Sequence, residues 1–180
     1  MILRKIRDIE SWNIRHTKWS IFLVALLVRS LFLVFGAPYY FGEAGVQVLG
    51  DTWWWVRASQ NLIEQGVYSS DMSLPNGFFY RPPGYSMILT PLYILLGDWN
   101  NVFNGIVYLQ IVADSFTAIL FFNLTFFQTR SVLASTISGL LYSFYVFSFG
   151  WTAVTYPETF SIFFLSLGLF CFVKGYQSKN

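Results

Sequence analysis

Charge is what this sequence has least of. Only 11% of its 180 residues are Asp, Glu, Lys or Arg, less than half of the roughly 25% usual in a soluble domain. So few charges cannot cover the surface of a soluble globule, and that class is excluded. A net charge of +2 is too small for a nucleic-acid binder. Cys171 is the single cysteine, which rules out an intramolecular disulfide and a cysteine zinc cluster. His16 is the single histidine, so this chain by itself lacks the makings of a histidine metal site or a catalytic triad. The first apolar run is too long for a signal peptide and lacks a small-residue cleavage site.

What is present is apolar and aromatic. Hydrophobic residues make up 55% of the chain and aromatic residues 21%. The expected fold class is therefore an all-α integral membrane protein. Residues 1–18 form a basic tail, with Arg4, Lys5, Arg7, Arg15 and Lys18 against Asp8 and Glu10. Basic residues ahead of a first span place that end in the cytoplasm. Ile2, Ile6 and Ile9 recur at helical spacing, so the tail can also lie on the membrane surface.

Four spans are expected, at about 19–36, 101–127, 131–148 and 157–173. Between the first two lies a long outer loop, 38–100. From Pro38 to Pro83 its Arg57 and Arg81 stand against Glu43, Asp51, Glu64 and Asp71, so the basic excess of the tail is gone. Residues 52–65 read as an amphipathic helix ended by Gly66. Trp55, Val56, Ala58, Leu62 and Ile63 make its apolar side; Arg57, Gln60, Asn61 and Glu64 make its polar side. Such a helix lies flat at the interface. Residues 69–80 look irregular, with a turn at Pro75, Asn76 and Gly77.

Residues 84–97 are apolar but reach only about 21 Å, short of a hydrocarbon core of about 30 Å. They are expected to form a second interfacial helix rather than a span. Then Arg130, Lys174 and Lys179 all fall on the cytoplasmic side, as the positive-inside bias favours. Both ends of the chain are cytoplasmic in this arrangement, and the loop 38–100 is external, in a multi-pass protein of the cell membrane. In the third span Ala134/Ser138 and Ser135/Gly139 are small-xxx-small pairs that permit close helix contact.

Five positions could carry chemistry. Asp51 precedes the amphipathic helix. It reads either as a helix cap or as a general base at the interface, near a lipid phosphate. Glu158 follows Thr155-Tyr156-Pro157 and reads as the end of a capping box. Alternatively, it is a second carboxylate facing the same cavity as Asp51, where the two orient a hydroxyl acceptor or hold a divalent cation. Arg81 is fixed by Pro82 and Pro83 and suits bidentate binding of a phosphate; the plainer reading is an arginine snorkelling to water. Arg29 and Asp114 are the two charges inside spans. A buried structural ion pair is one reading; a proton or ion path, as in a small transporter or channel subunit, is the other.

The order of these features resembles the N-terminal part of the GT-C membrane glycosyltransferases. The likeness runs from about Trp19 to Val173. It rests on Asp51 at the start of a long outer loop, a helix ending Gly66-Val67-Tyr68, then Arg81-Pro82-Pro83-Gly84-Tyr85, and later Tyr156-Pro157-Glu158. The branch it looks most like is the protein O-mannosyltransferase and aminoarabinose transferase group. The resemblance implies sugar transfer from a polyprenyl-phosphate-linked donor to a protein, lipid or glycan acceptor outside the membrane. It implies Asp51 as catalytic base, Glu158 near the acceptor or a metal, and Arg81 with Tyr85 as the lipid-phosphate contact. It also implies two horizontal helices in the first outer loop. The family often has Asp-Glu where this chain has Asp51-Thr52. Its members also run to several hundred residues, so this chain reads as a truncated product, a fragment, or a half completed by a partner carrying the remaining spans. A non-catalytic module that binds lipid-linked sugars or scaffolds a partner is the rival reading.

Overall fold

A computed structural model describes residues 2–42, 45–70 and 81–178, with side chains from Asn13 onward. Glu43, Asp71, Tyr80, Lys179, the turn at Pro75-Asn76-Gly77 and the side chains of Ile2 to Glu10 lie outside the described residues.

The regular structure of the described residues is helical apart from one isolated parallel bridge between Gln47 and Val154. Helix α1 spans Ile2–Leu31 and continues through a π-helical turn, Phe32–Gly36, into α2, Ala37–Phe41. The basic tail is thus the first part of the helix that becomes the first apolar run. The π turn is tied to Gly36. A side chain there would fall 2.3 Å from the Phe32 ring, which packs on Phe149 at 5.2 Å.

Two helices follow in the long loop. Helix α3 is Thr52–Gln65 and α4 is Pro83–Leu96. Gly66 and Gly97 end them in the left-handed conformation, each with φ of 70°, which a glycine adopts without steric cost. Helix α5, Trp99–Thr129, is the central element. Asp98 caps it by accepting from the Asn101 backbone N–H. Helices α6, Val132–Ser143, α7, Val146–Trp151, and α8, Glu158–Gln177, complete the chain.

Three stretches are long and apolar enough to cross a membrane: Asn13–Phe41, Trp99–Thr129 and Glu158–Gln177. The run expected as a continuous third span, 131–148, is broken. Helix α6 has 12 residues, about 18 Å, too short to cross alone. Tyr145 is extended, with ψ of 107°, and α7 restarts after it. The break has a tertiary cause, given below.

The amphipathic reading of α3 needs a correction. Asn61, expected on the polar side, is fully buried, and Ile63, expected on the apolar side, is 38% exposed. Asn61 turns inward because its Nδ2 donates to the Ser69 carbonyl at 2.6 Å, under the returning chain. The buried stripe of α3 is Thr52, Trp55, Val56 and Ser59, which keeps the i, i+3, i+4, i+7 spacing of a packed helix face.

The core forms around α5. Near its start Trp55, Tyr85, Leu89, Val102, Ile106 and Ile111 pack together. Further along, Ile21, Ala25, Ala118, Phe122 and Tyr142 form a second cluster. Gly139 makes that second contact close: a Cβ there would meet Ile21 at 3.1 Å and the Ala118 carbonyl at 3.3 Å. Ser135 and Gly139 are therefore on the packed face of α6, as small residues permit. Ala134 and Ser138 instead line an open cleft.

Candidate functional site

Two polar systems are embedded in this apolar fold. The first is buried between α1, α5, α6 and α7. Arg29 and Asp114 are 0% and 1% exposed, and Arg29 Nε donates to Asp114 Oδ2 at 2.5 Å. Tyr142 Oη and Ser148 Oγ also donate to the Asp114 carboxylate. Arg29 Nη1 donates to the carbonyls of Ala25 and Ser143. The Ser143 bond explains the break between α6 and α7. A helix end leaves carbonyls without intrahelical partners, and a guanidinium there satisfies one and suits the negative end of the helix dipole. Ser148, from the first turns of α7, reaches the opposite charge. The ion pair thus holds both halves of the broken helix.

Four residues before Asp114, on the same face of α5, lies Gln110, which is fully buried. Its Nε2 donates to the carbonyls of Val154 at 2.8 Å, Trp151 at 3.3 Å and Thr152 at 3.4 Å, and its Oε1 accepts from Tyr85 Oη. The segment after α7 is also fastened to the outer loop. The Gln47 N–H donates to the Ala153 carbonyl, the Thr155 N–H donates to the Gln47 carbonyl, and the Thr52 and Thr155 hydroxyls lie 2.8 Å apart. These bonds fix where Tyr156 and Glu158 stand.

The second polar system is at the surface formed by α3, the start of α4 and the start of α8. Asp51 does not cap α3: its backbone is helical, with φ of −68° and ψ of −23°, and its side chain makes no cap bond. Instead Asp51 Oδ2 accepts from Arg81 Nη2 at 2.7 Å. The Arg81 guanidinium lies 5.2 Å from the centre of the Trp55 ring. The capping box at Thr155 also fails to form. The Thr155 hydroxyl bonds to Thr52 and to the Gln47 carbonyl, and Pro157 stands at the N-cap of α8 without a side-chain bond. The Glu158 carboxylate is left for other work, and its Oε2 is buried without a hydrogen-bond partner among the described residues.

Tyr156 ties these charges together. Burial raises its phenol above the ordinary value. The Asp51 backbone amide opposes that, the Asp51 and Glu158 carboxylates add to the rise, and Arg81 opposes it. Tyr85 behaves alike: burial, then the Glu158 carboxylate, pushes its phenol well up. Both hydroxyls therefore stay protonated and able to donate at neutral pH.

Beside the charges opens an apolar cleft of about 360 Å³, walled by Trp55, Pro82, Tyr85, Ile88, Phe160 and Phe164 among others. Trp55 is the shared wall. It lies under Arg81, contacts Tyr85 edge-on at 5.5 Å and packs on Tyr156 at 5.7 Å. The arrangement is one cation flanked by carboxylates and phenols at the mouth of a greasy slot, which suits an anionic head on an apolar chain. No group of three or more His, Cys, Asp or Glu side chains comes together among the described residues, and Arg81 already supplies positive charge beside Asp51.

Asp51, Arg81, Tyr85 and Glu158, singled out from the sequence, are thus brought into one region. Arg29 and Asp114 form a separate buried pair. Tyr156, Trp55 and Gln110 were not singled out. A signal existed for Gln110: a polar residue one helical turn before a charge inside an apolar run. Comparisons with protein-family models, curated proteins and solved structures returned no match for this chain.

Proposed function

We propose that this chain is the N-terminal module of a GT-C-like membrane glycosyltransferase. It moves a sugar from a polyprenyl-phosphate donor to an acceptor hydroxyl outside the cell membrane. In this reading α6 and α7 together make a fourth, broken crossing. Helices α3 and α4 lie at the outer interface, and both chain ends face the cytoplasm.

The observation that carries the reading is the placement of Arg81 against Asp51 and over Trp55, whose ring is a wall of the apolar cleft. The cleft takes the first isoprene units of the donor, and Arg81 takes its phosphate. An arriving phosphate competes with Asp51 for the guanidinium and releases the carboxylate. Asp51 then accepts the proton of the acceptor hydroxyl, whose oxygen attacks the anomeric carbon. The bond from that carbon to the phosphate oxygen breaks. The lipid phosphate leaves with the electron pair, and Arg81 stabilises its charge. Glu158, with the Tyr85 and Tyr156 phenols beside it, orients the acceptor.

One observation favours the rival, a non-catalytic module that binds lipid-linked sugar or scaffolds a partner: the candidate base is engaged by Arg81. One assay separates the two. The purified chain in nanodiscs is given a polyprenyl-phosphate sugar. Sugar release that disappears in Asp51→Asn supports transfer. Binding without release supports the module. Unchanged turnover in Asp51→Asn removes Asp51 from the mechanism.

A further inference from the structure

A second place in the fold pairs cations with an apolar recess. It lies between α1 and α5, along α1 towards its N-terminus and far from Asp51 and Arg81. Arg15 and Lys18 stand three residues apart, so they share one face of α1. With Ile14 and Trp19 of α1 and Phe116 and Ile119 of α5 they line a cleft of about 520 Å³. Among the described residues no acidic side chain lines it and neither cation forms an ion pair.

The pair stands beside the last turns of α5. Helices α1 and α5 run antiparallel: Arg29 meets Asp114, and Lys18 Nζ lies 5.5 Å from the centre of the Phe122 ring. Phe122 is seven residues before the end of α5, about 10 Å along the axis. A lysine beside apolar helix surface directs its ammonium to water or to an anion. Trp19, half exposed beside it, is the residue type that settles at head-group level. A cationic mouth, an interfacial tryptophan and an apolar floor together match a phospholipid: an anionic head with an acyl chain beneath.

We propose that the α1–α5 cleft is a binding site for one anionic membrane phospholipid. Arg15 and Lys18 hold the headgroup phosphate, and the acyl chain runs over Trp19, Phe116 and Ile119. Charge complementarity selects this occupant over a zwitterionic lipid, whose own ammonium is repelled, and over a partner helix, which leaves both cations unpaired. The site does not depend on sugar transfer and uses none of the residues assigned to it.

The test is native mass spectrometry of the full chain released from nanodiscs of phosphatidylcholine with one-fifth phosphatidylglycerol. The wild-type chain retains one phosphatidylglycerol in preference to phosphatidylcholine. The Arg15→Gln/Lys18→Gln double variant retains it about 30-fold more weakly, the effect of removing two cations that each attract an anionic surface by the usual amount. Lys174→Gln retains it as the wild type does. Thermal unfolding of the double variant within a few degrees of wild type shows that the fold is kept; should it unfold, Lys18→Gln alone is measured, with about fivefold loss. Equal retention of the two lipids, or undiminished phosphatidylglycerol in a folded variant, overturns the proposal.

Discussion

Asp51 and Arg81, thirty residues apart in sequence, form a 2.7 Å ion pair on the face of Trp55. They are 47% and 31% exposed respectively, so water screens the attraction and the pair is worth about 1 kcal/mol or less. A weak pair at a cleft mouth is one that a phosphate can displace.

That weakness yields a prediction. Asp51→Asn leaves thermal stability within about 1 kcal/mol of wild type while removing the proposed sugar transfer. Asp51→Asn also binds a prenyl phosphate more tightly, because Arg81 no longer has an internal competitor. Arg81→Lys keeps the charge but loses the planar fork and the stacking on Trp55, so it binds the same probe more weakly than wild type. Differential scanning fluorimetry and titration with farnesyl phosphate measure both effects. Weaker binding in Asp51→Asn contradicts the competition.

Arg29 and Asp114 make the opposite case. Both are buried, and breaking a buried pair leaves a charge without compensation. Arg29→Leu or Asp114→Asn alone therefore costs about 3–5 kcal/mol. Asp114→Asn leaves Arg29 charged, and Arg29→Leu also strips the Ser143 carbonyl of its donor. Together the two changes cost much less than their sum, since each removes the burden left by the other. A double-mutant cycle on unfolding in detergent gives the coupling. Additive losses contradict the account of the helix break.

Gln110 carries a third prediction. Its amide serves three carbonyls and the Tyr85 hydroxyl from one buried position. Gln110→Leu keeps the approximate volume but takes the partner from the Tyr85 hydroxyl and the Thr152 carbonyl, at about 1–3 kcal/mol for each group left dry, while the Trp151 and Val154 carbonyls keep the backbone N–H groups of Val154 and Tyr156. Gln110→Glu keeps the acceptor for Tyr85 and loses the donors, so it is no milder. Tyr85→Phe costs about 1 kcal/mol. The same unfolding measurement ranks them, and a Gln110→Leu chain as stable as Tyr85→Phe contradicts the role given to the amide.

These residues also show what the sequence made legible. Gly66 and Gly97 ended their helices as glycines do, because local backbone geometry sets a helix stop. Arg29 and Asp114 could be paired on paper because a charge in an apolar run has few ways to be satisfied. The break after Ser143 could not be read. Neither Phe144 nor Tyr145 is a helix breaker, and the cause sits on another helix, 114 residues away. The engagement of Asp51 was hidden for the same reason. Position favoured a cap, but the carboxylate is engaged by a guanidinium that arrives thirty residues later. Thr155 likewise left its capping box for Gln47 and Thr52, more than a hundred residues upstream.

The last prediction concerns alkaline pH. The Tyr85 phenol, ordinarily at 10, is pushed well above that value, first by burial and then by the Glu158 carboxylate. The folded chain therefore holds this proton more tightly than the unfolded chain does. The resulting stability is fully present below pH 10. It falls as the pH rises past 10, where the unfolded chain begins to lose the proton, and is gone above the folded value. Tyr156, raised for similar reasons, adds in the same direction. Stability measured by chemical unfolding thus declines with pH above 10. In Tyr85→Phe the decline is shallower, although the variant starts lower at neutral pH through loss of the bond to Gln110. Phenolate absorbance followed during alkaline titration shows Tyr85 ionising only as the chain unfolds. A Tyr85 that ionises near pH 10 in the folded chain would mean that water reaches the wall of the cleft, and the slot beside Arg81 would no longer be a dry seat for an apolar chain.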